Sequence, residues 1–272
     1  MKIISFNING LRARPHQLNE IIRQHQPDLI ALQEIKVSDE QFPLSSITEL
    51  GYYCVHHGQK GHYGVATLAR SPIKLISKGF PDEAPDHQRR LLITAHSLPN
   101  GQSLTLLNGY FPQGENRNHA VKFPLKVAFY ARLRSWLSNH ADAAEPLLVV
   151  GDFNVAPEDL DIGIGESNQK RWLREGKCAF LPEEREWYQE LLRWGLGDVF
   201  RYLEPDKNDV FSWFDYRSRA FEDNPKRGLR IDHILATQCL RERCQGAGVD
   251  LHIRGMEKPS DHAPVWAQFT LD

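Results

Sequence analysis

A run of four apolar residues, Leu147-Leu148-Val149-Val150, leads directly into Gly151-Asp152-Phe153-Asn154. Such a run behind Pro146 reads as a buried strand, and Gly151 ends it. Asp152 and Asn154 lie two positions apart, so in extended chain they project to the same face. The strand therefore delivers an acid and an amide together at its end, where open sheets place their ligands. An ordinary polar turn after a strand would use the same residue types. The rest of the chain weighs between the two.

Other strands carry the same signature. Residues 2–6 form an apolar strand that stops at Asn7-Ile8-Asn9-Gly10. Pro15 then opens a helix with Leu18, Ile21 and Ile22 at helical spacing, and Pro27 stops it. Residues 28–32 form a second strand that ends at Gln33-Glu34. Strand, helix, strand in this order predicts a layered α/β fold. Residues 52–57 and 63–69 read as strands around the Gly58-Gln59-Lys60-Gly61 turn. Residues 91–96 and 104–108 flank Pro99-Asn100-Gly101, a hairpin signal. These strands without helices between them predict antiparallel pairing and an α+β-like layering. A helix from Pro124 places Leu125, Phe129, Leu133, Trp136 and Leu137 on one face, and a helix from Pro182 turns Trp187, Leu191 and Trp194 inward, with Glu183 and Glu184 in its first turn. Residues 161–180, polar and rich in glycine and basic side chains, read as a long ordered loop with a short helix at most. A strand at residues 230–235 holds Asp232, and the last strand, 265–269, follows Asp261-His262 between Pro259 and Pro264.

The chain has 272 residues, no linker tract and no internal repeat, which predicts a single domain over residues 1–272. A net charge of −2 excludes a globally basic nucleic-acid binder but not a local basic face. Cys54, Cys178, Cys239 and Cys244 form no C-x-x-C pair, so neither a zinc site nor a disulfide framework is expected. Reduced thiols in a cytoplasmic protein are. No signal-peptide core precedes the first strand, and no apolar run is long enough to span a bilayer.

Asn7, Glu34, Tyr110, Asp152 with Asn154, Asp232, and Asp261 with His262 thus end or interrupt apolar strands. Singly, each has a bland explanation: Glu34 as a surface acid, Tyr110 as a buried aromatic with a satisfied hydroxyl, Asp261-His262 as a turn. Asp232 is harder to excuse, because a carboxylate among Ile231, Ile234 and Leu235 must be paired, hydrogen-bonded or bound to a metal. Together these residues suit metal-assisted hydrolysis. Oxygen ligands without cysteine favour Mg²⁺, with Mn²⁺ as a substitute, over zinc. A histidine backed by an aspartate can be held in one orientation.

Longer motifs carry a resemblance. Ser5-Phe6-Asn7-Ile8-Asn9-Gly10-Leu11-Arg12-Ala13, Leu32-Gln33-Glu34-x-Lys36, Gly58-Gln59-Lys60-Gly61-His62-Tyr63-Gly64-Val65-Ala66, Asn108-Gly109-Tyr110-Phe111-Pro112-Gln113-Gly114, Gly151-Asp152-x-Asn154, Arg227-Gly228-Leu229-Arg230-Ile231-Asp232 and Ser260-Asp261-His262-Ala263-Pro264-Val265 resemble the bacterial exonuclease III family. They span the chain in the family's order. The acidic and histidine motifs are shared with a wider superfamily of deoxyribonucleases, sphingomyelinases and inositol phosphatases. The Tyr110 motif and the Trp213 region resemble its apurinic/apyrimidinic (AP) endonuclease branch.

The resemblance implies a four-layered α/β sandwich, two packed mixed β-sheets flanked by helices. It implies a DNA-repair nuclease that cuts on the 5′ side of abasic sites, with 3′→5′ exonuclease and 3′-phosphatase activity. By the same resemblance Glu34 is the principal metal ligand, with Asn7 and Asp261 in the metal region. Asp152 orients or deprotonates the attacking water, Asn154 binds a phosphate oxygen, Asp232 and His262 pair at the scissile phosphate, and Tyr110 stabilises the phosphate or the leaving oxygen. Whether Asp152 or the Asp232–His262 pair takes the proton stays open at this point, as does one metal or two, since Asn9 stands where some relatives carry an aspartate. Lys60, Arg90 and Gln113 correspond to DNA-contacting positions. Pro225-Lys226 reads as an insertion that adds a cation near the DNA side. His233, where an apolar residue is expected, reads as a hydrogen-bonded core histidine.

The partner expected is double-stranded DNA, bound by a monomer. Lys170, Arg171, Arg174 and Lys177, then Arg217, Arg219, Lys226, Arg227 and Arg230, interleave with Trp172, Trp213 and Phe214, the pattern of a nucleic-acid surface. Trp213, Phe214 and Leu229 are expected to line a pocket for a base-free sugar; the alternative is that the aromatics are core. A lipid or inositol phosphodiesterase lacks a membrane-docking loop in this sequence. A non-catalytic DNA-binding module would not need every catalytic position filled by a competent residue.

Overall fold

The computed structural model describes residues 1–84 and 87–271. Its strands make two six-stranded sheets. The first contains β1 (Lys2–Asn7), β2 (Leu29–Gln33), β3 (Tyr53–His57) and β4 (Val65–Ala69). The second contains β5 (Lys74–Lys78), β6 (Leu91–Ser97), β7 (Ser103–Tyr110), β8 (Leu147–Asp152), β9 (Leu196–Asp198) and β10 (Asp232–Thr237). The chain then returns to the first sheet with β11 (Cys244–Val249) and β12 (Val265–Phe269). The orders are β11-β12-β1-β2-β4-β3 and β5-β6-β7-β8-β10-β9.

Both sheets are mixed in the same way. Each has one parallel pair at its centre, β1 with β2 and β7 with β8, and antiparallel pairing on either side. Parallel neighbours need a crossover, and each central pair has one. The helix α1 (Pro15–His25) joins β1 to β2. After the short α2 (Leu44–Glu49), the helix α3 (Lys122–His140) joins β7 to β8.

Strands β2, β4, β8 and β10 are buried along their whole length, as strands covered on both faces must be. Ile3, Ala31 and Ala267 of one sheet meet Leu106, Val150 and Ile234 of the other in a shared core. The outer face of the first sheet, with Ile4, Phe6 and Leu68, packs on Leu18 and Ile21 of α1 and Ile47 of α2. The outer face of the second, with Ile93, Leu107 and Val149, packs on Phe129, Leu133 and Leu137 of α3 and on Leu191 of a further helix. Helix, sheet, sheet, helix is the four-layered sandwich that the resemblance implied.

Residues 161–180 differ from expectation. They contain a full helix, α4 (Glu166–Glu175), and none of its residues is buried, so no apolar stripe betrayed it. The following helix, α5 (Pro182–Trp194), starts as predicted. Its Glu184, however, is completely buried.

This topology fixes where the polar strand ends go. At the C-terminal ends of the parallel pairs Asn7 lies opposite Gln33, and Tyr110 opposite Asp152. Strand β10 runs the other way, so its first residue, Asp232, pairs with Asp152. Strand β12 likewise begins just after Asp261-His262. All arrive at one end of the sandwich. Gln33 donates to Asn108 at 2.8 Å, and Asn108 donates to the Ala66 carbonyl at 2.9 Å, so buried amides join the two sheets immediately beneath it. Gly151, at φ 144°, is required there: a side chain would collide with the Gly109 carbonyl of β7.

Candidate active site

The strand ends surround a cavity of about 280 Å³. Asn7, Glu34, Tyr110, Gln113, Asp152, Asn154, Trp213, Leu229, Asp261 and His262 line it. Asp232 stands directly behind His262.

Asp152 is the centre. Its Oδ2 accepts from Asn7 Nδ2 at 3.0 Å, and its Oδ1 accepts from the Asn154 backbone N–H at 2.9 Å. His262 Nε2 lies 3.7 Å from Asp152 Oδ2, while His262 Nδ1 is 2.8 Å from Asp232 Oδ2. The backbone N–H groups of Ile231 and Asp232 both donate to Ser212 Oγ at 3.0 Å, which fixes the start of β10. Ser260 Oγ donates to the Asn7 carbonyl at 2.6 Å and accepts from the His262 N–H at 3.2 Å, tying β1 to the histidine.

These distances set the protonation states. Burial pushes the Asp152 carboxyl up to about 7, with Asp232 adding to the shift and His262 and Asn7 opposing it. Burial alone would push the His262 imidazole down, but the carboxylates of Asp232 and Asp152 outweigh it and hold the ring up at about 10. His262 is therefore an imidazolium at neutral pH, with Nδ1–H on Asp232 and Nε2–H facing the cavity. Burial, then Glu34, pushes the Tyr110 phenol well above its ordinary value, so it keeps its proton as a donor. Asp261 is held below the ordinary carboxylate range: burial opposes this, but His262 and the bonds from Asn9 and Trp213 prevail.

Glu34 and Asp261 lie on the other wall. Glu34 Oε1 is 3.1 Å from Lys36 Nζ. Asn9 Nδ2 donates to Asp261 Oδ1 at 2.9 Å, and Trp213 Nε1 to Asp261 Oδ2 at 3.1 Å. Carboxylate and amide oxygens of Glu34, Asp261 and Asn7 all face the cavity, with lone pairs to spare. The cavity is short of positive charge. Of its acidic side chains, Glu34 pairs with Lys36, and Asp152 and Asp232 with His262. An oxygen-lined, anion-rich cavity suits a hard dication. Asp152, Asp232 and His262 are also close enough together to hold an ion. A protonated His262 cannot ligate, however, so this group reads better as an acid–base cluster.

Some expected residues fall elsewhere. Phe214 does not line the cavity. Neighbours in extended chain point to opposite faces, so Trp213 turns in while Phe214 turns away, fully buried and edge-on to Phe221 at 5.0 Å. Trp213 and Leu229 exchange backbone bonds at 2.9 and 3.0 Å and stand together at the cavity wall. Arg90 is almost covered, with its guanidinium over the rings of Tyr63 and Tyr110 at 4.2 and 4.6 Å and Nη1 on the Tyr110 carbonyl at 3.0 Å. It buttresses Tyr110 instead of presenting a free cation. Lys60 is exposed and outside the cavity lining. Arg230 leaves the expected basic face altogether: it is buried, 2.7 Å from Asp161 and 2.8 Å from Asp198. Lys226 turns back onto the Phe221 carbonyl at 2.6 Å and over the Phe221 ring, so the Pro225-Lys226 insertion does not present the free cation it suggested. His233 is a buried core histidine, 3.0 Å from Arg230 Nη1 and 2.8 Å from the Val155 carbonyl.

Sequence reasoning did not single out Lys36, Trp172, Cys178 and Ala179 as cavity residues. Lys36 could have been found, since it stands two positions from Glu34 in the same motif. Trp172 reads only as an aromatic of the nucleic-acid surface, and Cys178 and Ala179 lie just after α4, in a stretch that reads as loop.

Residues 4–262 match the model of the endonuclease/exonuclease/phosphatase family. Exodeoxyribonuclease III of Haemophilus influenzae is 60% identical over 269 residues, covering 99% of this chain and all of the relative. Among solved structures, an AP endonuclease from Archaeoglobus fulgidus superposes with a TM-score of 0.89 at 32% identity over the full length of both chains. The 3′ phosphatase NExo from Neisseria, bound to a product DNA hairpin, superposes with a TM-score of 0.88 at 35% identity, covering 99% of each chain.

Proposed function

This chain belongs to the endonuclease/exonuclease/phosphatase family and is a hydrolytic DNA-repair nuclease, and from that premise we propose how its residues divide the work. The substrate is double-stranded DNA, cut on the 5′ side of an abasic site or trimmed and dephosphorylated at its 3′ ends. The core shared between the two sheets supports a single catalytic domain over the whole chain, which we take to work as a cytoplasmic monomer. Among the described residues no helix is long and apolar enough to cross a membrane.

The observation that carries the mechanism is geometric: the Asp152 carboxyl, held by Asn7 and the Asn154 N–H, lies 3.7 Å from a His262 ring that Asp232 fixes at 2.8 Å and whose basicity it raises. His262 already carries its proton and cannot take one from water. Asp152 can, and a base poised near the working pH is the most effective. Asp152 therefore orients the attacking water and removes its proton. His262 Nε2–H, kept in place by Asp232, donates to a non-bridging phosphate oxygen. Asn154, anchored through Nδ2 to the Phe111 carbonyl at 3.0 Å, offers its remaining N–H to the same phosphate. Tyr110 keeps its proton for the leaving oxygen. A magnesium or manganese ion held by Glu34 with Asn7 and Asp261 would supply Lewis-acid neutralisation of the phosphate charge.

Trp213 and Leu229 form an apolar wall beside these groups. An abasic site offers no base to read; it differs from intact DNA in a cheaply extruded, base-free sugar. The wall suits that sugar, which presents an apolar face and no base.

The test is cleavage of a duplex with one abasic site as the metal is withdrawn and restored. EDTA should abolish incision, and Mg²⁺ or Mn²⁺ should restore it. Glu34→Ala should raise the metal concentration required. Full activity without metal, or an unchanged titration in the variant, would overturn the assignment.

A further inference from the structure

Residues 153–155 form the turn that carries Asn154. It leaves the sheet at Asp152, and Asn154 itself sits at φ 53°, a left-handed conformation that asparagine adopts more readily than most residues but that no strand continues through. A turn of this kind cannot satisfy its carbonyls through a strand ladder. Here each of the three successive carbonyls is held by a side chain. Tyr130 Oη donates to Phe153 O at 2.9 Å, Lys126 Nζ to Asn154 O at 2.9 Å, and His233 bonds Val155 O at 2.8 Å. Lys126 and Tyr130 lie four residues apart, on the same face of α3.

Lys126 is the unusual member, a lysine with no exposed surface. Its ammonium has three donors and three acceptors: the Asn154 carbonyl, the Gln113 carbonyl at 3.3 Å and Glu184 Oε1 at 2.5 Å. The other oxygen of Glu184 accepts from the Ala179 and Leu181 N–H groups at 2.9 and 2.8 Å. Gln113, Asn154 and Ala179 all line the catalytic cavity. One buried ion pair thus joins three separate wall segments behind the reacting groups. A buried ion pair is a poor source of net stability compared with well-packed apolar residues, so its presence calls for another role.

We propose that Lys126, locked by Glu184, is a positioning residue for phosphoryl-ester hydrolysis: it holds the left-handed Asn154 turn so that the Asn154 amide meets the phosphate. This rests on the reading of Asn154 as a phosphate-binding group. The test is a double-mutant cycle on single-turnover cleavage of an abasic duplex, combining Lys126→Met with Asn154→Ala. Because Lys126→Met alone strands a buried Glu184 carboxylate, the same cycle is run in a Glu184→Gln background, where the partner is neutral and its acceptor oxygen remains for Ala179 and Leu181.

In the Glu184→Gln background, Lys126→Met should lower kcat at least about 30-fold while KM for DNA changes less than about 3-fold, with melting temperature close to that of Glu184→Gln alone. Once Asn154 is Ala, the same change should cost less than about 3-fold, because residues that act through one another are non-additive. Losses that multiply, or a loss that follows melting temperature, would show Lys126 to be purely structural. If Asn154→Ala by itself leaves kcat intact, the reading of Asn154 fails instead. If it is damaging while Lys126→Met is silent, only the positioning role fails.

Discussion

Replacing Asp152 by Asn keeps the side chain's shape and removes the charge that activates water. General-base catalysis contributes about 10²–10⁴-fold, so turnover should fall by that order while DNA binding and fold persist; a loss below about 10-fold in single-turnover assays would make Asp152 structural. Trp213 and Phe214 offer a sharper contrast, since they are adjacent in sequence and face opposite ways. Trp213→Ala should reduce abasic-site cleavage more than 3′→5′ exonuclease activity, with little change in denaturation midpoint. Phe214→Ala opens a hole in a packed core and should cost about 3–5 kcal/mol in equilibrium unfolding, the usual penalty for truncating a buried aromatic. If the two variants gave the same pattern, the assignment of the Trp213 wall would be wrong.

Among elements, those with clear apolar runs or proline punctuation were legible. Helix α1 begins at Pro15, α5 at Pro182, and β12 covers the predicted residues 265–269. The strands that escaped have physical reasons. The edge strand β5 is mostly exposed and carries lysine at both ends. In β11, Gly246 and Gly248 give no pattern because the Trp266 ring covers them in place of side chains. Strand β9 is three residues long. Strand β6 also carries a buried titratable group. Its His96 is buried against Thr94 at 2.9 Å, and burial lowers its imidazole to about 4. The unfolded chain therefore takes up this proton first as pH falls below the ordinary value of about 6.5. Stability from His96 is complete above that pH and is lost towards pH 4, by about 2 kcal/mol at pH 5. His96→Gln should flatten that part of the stability–pH curve measured by urea unfolding; parallel curves for the two proteins would contradict it.

For the molecule as a whole, the site was readable because Asn7, Glu34, Tyr110, Asp152, Asp232 and His262 each end or interrupt an apolar run. What brings them together was not: two sheets, each with a central parallel pair, must be stacked before their strand ends share one cavity. Nor was the buried support. Lys126 gave no signal, Glu184 read only as an acid in a helix's first turn, and Arg230 as part of a basic face, because burial and pairing come only with tertiary structure. Breaking the Arg230 cluster by Arg230→Met should cost about 3–5 kcal/mol, since it leaves Asp161 and Asp198 buried with less counter-charge; a denaturation midpoint unchanged from wild type would refute that. The proposed function is that of a metal-dependent nuclease that recognises a missing base by the shape of its sugar and uses Asp152 as the base. The most direct measurement uses 5′-end-labelled duplexes, identical but for one abasic site, incubated with Mg²⁺ and either wild-type protein or Asp152→Asn. Wild type should give one dominant product ending immediately 5′ of the lesion on the abasic strand and progressive shortening from the 3′ end on the intact one, with both reactions nearly lost in the variant. No preference for the lesion, or a variant that cuts as fast as wild type, would contradict it.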